Sequence, residues 1–302
     1  MKKKGSILYV VISLLVCFIL TAAYFWFVVL PKDRKAPEIT MTSDIVTVSV
    51  SEGQDAMLKG VTATDDVDGD VTDRILIENI YGYSKDDTAN ITYVAYDKAG
   101  NASKASRKVK FTDYQSPEFG QTKALVFASN TSPDVLSIVT AYDKIDGNIS
   151  NRVKGTLISE TTSLSYPGEH YIEFRVTNSI GDTQKLTLPV DVYEPQTYNA
   201  SVELTRYLVY IKTGESFDPE VYLKNLVVGN NEYSLDTEEN PDIMLYTDRY
   251  VSPSVNPAAT IVNAEIKSDV DTSKAGVYSV TYTVDYDGRY TGYTRLNVVV
   301  EE

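Results

Sequence analysis

The sequence predicts an all-β protein: three tandem two-sheet sandwiches behind one N-terminal apolar helix. Three observations predict it. Proline-led units recur at a spacing of about 80 residues, short β-rich runs separated by Asp, Asn and Gly turns fill each unit, and a single uncharged run precedes them.

The apolar run covers residues 6–30, SILYVVISLLVCFILTAAYFWFVVL, without a charge. As a helix, 25 residues would extend roughly 37 Å, more than the ~30 Å hydrocarbon core of a bilayer. Tyr24, Phe25, Trp26 and Phe27 cluster near its end, as an interfacial belt requires. Residues 1–5 are therefore expected in the cytoplasm, 6–30 across the membrane and the remainder outside. Lys2, Lys3 and Lys4 precede the run and Lys32, Arg34 and Lys35 follow it, so positive charge alone orients it weakly. The acidic bulk of the chain decides the expected orientation. A cleaved signal peptide ending at Ala23 is the alternative, with small residues at Thr21 and Ala23, but the apolar run continues to Leu30.

The units open at Pro37, Pro117 and Pro195, which divides the exported part into 36–114, 115–194 and 195–302. Within the first two, ATDDVDGDVTDR (Ala63 to Arg74) returns as AYDKIDGNISNR (Ala141 to Arg152). Later in each unit an alternating strand runs into a turn: ITYVAYDKAGN from Ile91, IEFRVTNSIGD from Ile172 and GVYSVTYTVDYDG from Gly276. Further strands are legible at 45–50, 124–128 and 207–211, and at the unit ends 108–111, 187–193 and 295–300. Beyond the apolar run no long stretch has helical periodicity.

This order of motifs, an opening proline, D-x-x-D-G-[DN] in the middle and an aromatic strand ending D-x-x-G-N, resembles the bacterial Ig-like domain of a pesticidal crystal protein and many Gram-positive surface proteins. The hyalin-type repeat is similar. Unit one carries the pattern through Asp65, Asp68, Gly69, Asp70, Asp97, Gly100 and Asn101. Unit two keeps Asp143, Asp146 and Gly147 but has Asn148, Asn178 and Asp182 at varied places. Unit three lacks the D-G-D turn and resembles the family only in its opening, Thr213 to Leu223. The resemblance implies three Ig-like sandwiches in extracellular modules and no common catalytic activity.

Composition narrows the chemistry. One cysteine, Cys17, excludes an intramolecular disulfide framework, and one histidine, His170, excludes sites needing two. Residues 1–35 hold six basic residues and one acidic, which leaves 22 basic against 41 acidic, a net −19, in the rest. That balance opposes nucleic-acid binding. No catalytic residue and no organic cofactor are expected. The sharpest chemical feature is the Asp-rich turn: Asp66, Asp68 and Asp70 offer the oxygen ligands of a Ca²⁺ site, although Ile77 stands where an EF-hand needs its glutamate. The simpler reading is a turn whose aspartates cap backbone amides. His170 is expected to be partly exposed at a strand start.

The functional expectation is a non-enzymatic, single-pass surface protein of a Gram-positive bacterium that serves display, adhesion or protein binding. A wall-polysaccharide-binding module and an accessory subunit of a membrane assembly are the alternatives. Partner contact is assigned to the stretch between Val228 and Gly276, through Tyr233, Tyr246 and Tyr250, because long sandwich loops often carry binding. The simpler reading there is an added strand over Ile261 to Ile266.

Overall fold

The structure is a computed structural model that describes the chain except residues 1, 27–32, 159–162, 195–198, 236–242, 247–259 and 287–289; side chains of 2–8, 243–244, 246 and 260–261 are also outside the description. The chain divides into two compact units, Met1–Tyr114 and Gln115–Glu302.

The first unit opens with α1 (Lys2–Tyr24), which accounts for residues 6–24 of the apolar run. Among the described residues no helix is long and apolar enough to cross a membrane. The spanning helix expected over 6–30 is thus not found whole: α1 ends at Tyr24, and 27–30 lie outside the described residues. After it come β1 (Glu38–Met41), β2 (Ile45–Val48), the single-turn α2 (Gly53–Met57), β3 (Val61–Asp65), β4 (Gly69–Asp70), β5 (Ile75–Ser84), β6 (Thr88–Tyr96) and β7 (Ala102–Phe111). They make a three-stranded sheet, β1-β3-β4, and a four-stranded one, β2-β7-β6-β5. Alternation of buried and exposed residues along β3 follows from the two-residue repeat of a strand. Val61, Ala63, Ile91, Tyr93, Val109 and Phe111 point into the core between the sheets.

The second unit contains two further pairs of sheets. Its first half has β8 (Glu118–Gln121), β9 (Val126–Ala128), β10 (Val139–Asp143), β11 (Gly147–Asn148), β12 (Lys154–Leu157), β13 (Gly168–Thr177) and β14 (Thr183–Tyr193), in sheets β11-β10-β8 and β12-β13-β14-β9. Its second half has β15 (Ala200–Leu204), β16 (Leu208–Lys212), β17 (Leu223–Val228), β18 (Asn231–Ser234), β19 (Ile243–Tyr246), β20 (Thr260–Ser268), β21 (Gly276–Tyr286) and β22 (Tyr290–Glu301), in sheets β15-β17-β18 and β16-β22-β21-β20-β19. One topological signature recurs in all three sandwiches: an early short strand pairs parallel with the last strand, β2 with β7, β9 with β14 and β16 with β22. The added strand expected near 261–266 is β20, which pairs antiparallel with β21 and lengthens the sheet.

Within the second unit the two sandwiches share side chains. Leu208 of β16 belongs to the core of the first half, and Tyr210 and Val299 pack against it. Asn297, 1% exposed, donates from Nδ2 to Gln121 Oε1 at 2.9 Å. Arg295 reaches Glu169 Oε2 at 2.6 Å and holds Asp191 through two contacts, Nη2–Oδ1 at 2.9 Å and Nε–Oδ2 at 2.8 Å. Shared core and buried ion pair bind the two sandwiches, which makes them one body rather than two beads on a linker.

Candidate functional site

The Asp-rich turn joins β3 to β4. Asp65 Oδ1 accepts from the backbone N–H of Val67 (2.9 Å) and Asp68 (2.8 Å), and Gly69 takes φ +75°, a conformation that side chains with a Cβ resist. The second sandwich repeats this atom for atom: Asp143 Oδ1 accepts from Ile145 (2.9 Å) and Asp146 (2.8 Å), with Gly147 at φ +70°. The next aspartate ties the turn to the one after the long aromatic strand. Asp68 Oδ2 accepts from Lys98 N at 2.6 Å, and Asp146 Oδ2 from Ser179 N at 2.7 Å. In that later turn Asp97 Oδ1 accepts from Asn101 N at 2.8 Å, matched by Asn178 Oδ1 and Asp182 N at 2.9 Å. These recurrent bonds explain why the motif repeats in the sequence.

The three aspartates expected to share an ion are spent separately. Asp66 is exposed and pairs with Lys35 Nζ at 3.3 Å. Asp68 also meets Lys98 Nζ at 3.2 Å, and the Lys98 backbone N–H holds its carboxyl below the usual range. Asp70, exposed, accepts from Thr72 N at 3.0 Å, and the Thr72 hydroxyl first and then this N–H lower its carboxyl too. The carboxylates that do converge are Asp33, Asp65 and Asp97: one oxygen from each lies within 4.8 Å of the others. Local spacing could not reveal this group, because its members lie 32 residues apart in sequence and meet only through folding.

The other expected residues separate as well. Tyr233 is half-buried and packs against the core of the last sandwich. The side chain of Tyr246, at the end of β19, and the whole of Tyr250 lie outside the described residues. His170 is not partly exposed; it is 3% exposed on β13, facing inward, with Nε2 2.8 Å from Tyr166 O.

Sequence reasoning missed the charged junction of the second unit, because Arg295 is 104 residues from Asp191. Burial pushes the Asp191 carboxyl up to about 6, against the attraction of Arg295. Arg295 is itself raised, since Asp191 and Glu169 together outweigh its own burial. These two shifts pull opposite ways on the pair; the close two-point contact and a carboxyl value below 7 agree that it is ionised at neutral pH. A raised carboxyl contributes stability fully below its unfolded value near 3.8 and loses it as pH climbs through about 6. We expect carboxyl-carbon NMR to follow Asp191 titrating near 6; a midpoint below about 4, the ordinary range, would overturn this. Elsewhere in the second unit a cavity of about 640 Å³ is lined by Pro117, Glu118, Phe119, Tyr210 and Glu301. Burial, then Glu301, raises the Glu118 carboxyl there.

Comparison with known proteins bears on the first sandwich above all. Residues 40–111 match the family of the bacterial surface protein Ig-like domain. The match covers β2 to β7 and both aspartate turns, the part of the chain where the motif is complete. Over longer stretches, this chain is 28% identical across 170 residues to an uncharacterized 81.3 kDa protein of Acholeplasma phage L2, covering 55% of this chain and 19% of that one. It is 26% identical across 144 residues to the pesticidal crystal protein Cry22Aa of Bacillus thuringiensis, covering 48% and 16%. The chain thus spans less than a fifth of the length of these curated relatives. Among solved structures, the CBM51-2 and INT domains of Clostridium perfringens ZmpB, in complex with GlcNAc, are 17% identical over 51% of this chain and 41% of that one, at TM-score 0.21. The protocadherin GammaB4 extracellular domain is 10% identical over 88% and 51%, at TM-score 0.20. At these scores neither likeness carries an argument beyond the Ig-like domain match.

Proposed function

We propose that this chain is a membrane-anchored surface protein whose Ig-like sandwiches are displayed outside the cell for binding, and that it is not an enzyme. The observation that carries the reading is the surface of α1. Tyr9, Leu14, Phe18 and Leu20 are 76, 65, 73 and 64% exposed, and Val10, Val11 and Ile12 are each half exposed or more. Successive helical residues point about 100° apart, so apolar side chains face outward on every side, an arrangement stable in lipid and costly in water. The Ig-like domain match and the acidic sandwiches support exposure to the outside.

Binding is assigned to the stretch after Val228, through Tyr246 and Tyr250, while Tyr233 packs on the core. Protease added to intact protoplasts is expected to digest the chain beyond residue 36, and replacing Tyr246 and Tyr250 by Ala to abolish partner recovery without unfolding the protein. Complete protection from protease would overturn the display reading. Retention of the soluble part on purified wall material, unaffected by the tyrosine replacements, would favour the glycan-binding alternative.

A further inference from the structure

We propose that the first sandwich binds one hard divalent cation, Ca²⁺, between Asp33, Asp65 and Asp97, rather than at the exposed aspartates of its turn. Asp65 and Asp97 are 8% and 4% exposed, and Asp33 is half-buried. Asp65 uses only Oδ1 in the turn; its Oδ2 is buried without a hydrogen-bond partner. Asp33 is arranged the same way: Oδ1 accepts from Lys35 N at 3.0 Å, and Oδ2 is buried without a partner. Three carboxylates with one oxygen each within 4.8 Å of the others, two of them carrying an orphaned oxygen, are an expensive concentration of like charge. The nearby lysines are engaged elsewhere, Lys35 with Asp66 and Lys98 with Asp68.

The second sandwich supplies an internal control. There the place of Asp97 is taken by Asn178, whose Nδ2 donates to Asp143 Oδ2 at 3.0 Å, the atom equivalent to the orphaned Asp65 oxygen. An amide closes in one repeat what Asp65 leaves open in the other, where Asp97 instead accepts from Asn101 N at 2.8 Å and Asn101 Nδ2 at 2.6 Å. A cation is the chemical equivalent of that amide with more charge to offer. Ca²⁺ takes oxygen ligands at about 2.3–2.6 Å in adaptable geometry, so two such bonds span the separations found here, while Mg²⁺ demands a tighter octahedron. Asp33 lies between the apolar run and β1, and Asn101 Nδ2 reaches Lys35 O at 3.3 Å in the same corner. The ion would therefore fasten the segment preceding β1 to both turns of the sandwich.

The test uses the full chain in detergent, stripped of metal and titrated with Ca²⁺ alone, read by equilibrium dialysis and by thermal unfolding of the first sandwich. One ion per chain and a rise in unfolding midpoint are expected. Asp97→Asn, made together with Asn101→Asp, copies the second sandwich, so it should keep the fold without lowering the apo midpoint while weakening Ca²⁺ binding about tenfold or more through the lost charged ligand. Asp33→Asn should do likewise, and Asp66→Asn and Asp70→Asn should bind as the unaltered chain does. No binding up to about 10 mM, beyond the weakest extracellular sites, would overturn the proposal. So would binding that survives Asp97→Asn and Asp33→Asn but fails in Asp66→Asn or Asp70→Asn.

Discussion

Arg295→Ala is expected to destabilise the second compact unit by about 3–5 kcal/mol at neutral pH, the range for removing one partner of a buried ion pair. Arg295 projects from β22 with its side chain 13% exposed and meets Glu169 on β13 and Asp191 on β14, so the loss falls on the contact that joins two sandwiches. The damage comes mainly from what remains. Asp191, 4% exposed, keeps its burial without its counter-charge. Its carboxyl then rises further above about 6 and takes up a proton, so the penalty shrinks as pH falls. Glu169 suffers less, because Tyr171 also donates to it and its side chain is 40% exposed. Calorimetry at pH 7 and pH 5 checks both claims: a large loss at the first, a smaller one at the second. Replacing Arg295 by Met together with Asp191 by Leu removes both charges and should recover much of the stability, as apolar replacements of buried pairs do. A loss below about 1 kcal/mol for Arg295→Ala would mean that the pair behaves as a surface one.

Arg107→Ala is expected to cost the first sandwich about 3 kcal/mol or more, and Arg107→Lys nearly as much. Arg107 on β7 is 6% exposed and spreads its guanidinium over three acceptors: Met57 O at 2.9 Å, Lys59 O at 2.8 Å and the Tyr93 hydroxyl at 2.9 Å. It also stacks over the Tyr93 ring, 5.3 Å from its centre. These carbonyls belong to the last residue of α2, a five-residue helix too short to hold itself together, and to the turn that follows it. Without Arg107, Tyr93 still donates to Met57 O at 2.6 Å, but Lys59 O loses a charged donor. A lysine supplies a single point charge and cannot reach all three acceptors in one plane. Denaturant unfolding of the full chain, with the first transition assigned through Tyr93→Phe, would measure this. An unchanged midpoint would show that water replaces the guanidinium.

The same position exposes a difference among the repeats. Tyr93, Phe174 and Tyr282 align in the three strand motifs, and all are fully buried. Tyr282 donates to Pro219 O at 2.6 Å, as Tyr93 does to Met57 O, while Phe174 has no hydroxyl to satisfy. Two places before each aromatic, the residue opposite on the last strand is Arg107, Leu188 or Leu296. Only the first sandwich adds a charge to this core position.

Much was readable from residues alone. Period-two alternation and β-branched runs located the strands, since a strand presents successive side chains to opposite faces. Repetition of the D-x-x-D-G turn marked equivalent corners, because Asp65 and Asp143 use nearby backbone amides whose positions are set within three residues. The apolar run of residues 6–30 and the acidity of the remainder were likewise plain in the composition. Such features depend on interactions between near neighbours along the chain, and those survive in the order of residues.

What the tertiary structure decided are contacts between distant residues. It gave Asp66, Asp68 and Asp70 separate partners and brought Asp33, Asp65 and Asp97 together. It buried His170 and joined Leu208 to the core of the preceding sandwich. A sequence scan sees Asp97 with Asn101 become Asn178 with Asp182, yet only folding shows that this exchange turns an amide-to-carboxylate bond into two facing carboxylates. The reason is geometric: sheet pairing across a sandwich places side chains from turns 30 and more residues apart within a few ångströms, and charge and hydrogen bonding act over that distance in space, not over separation in sequence.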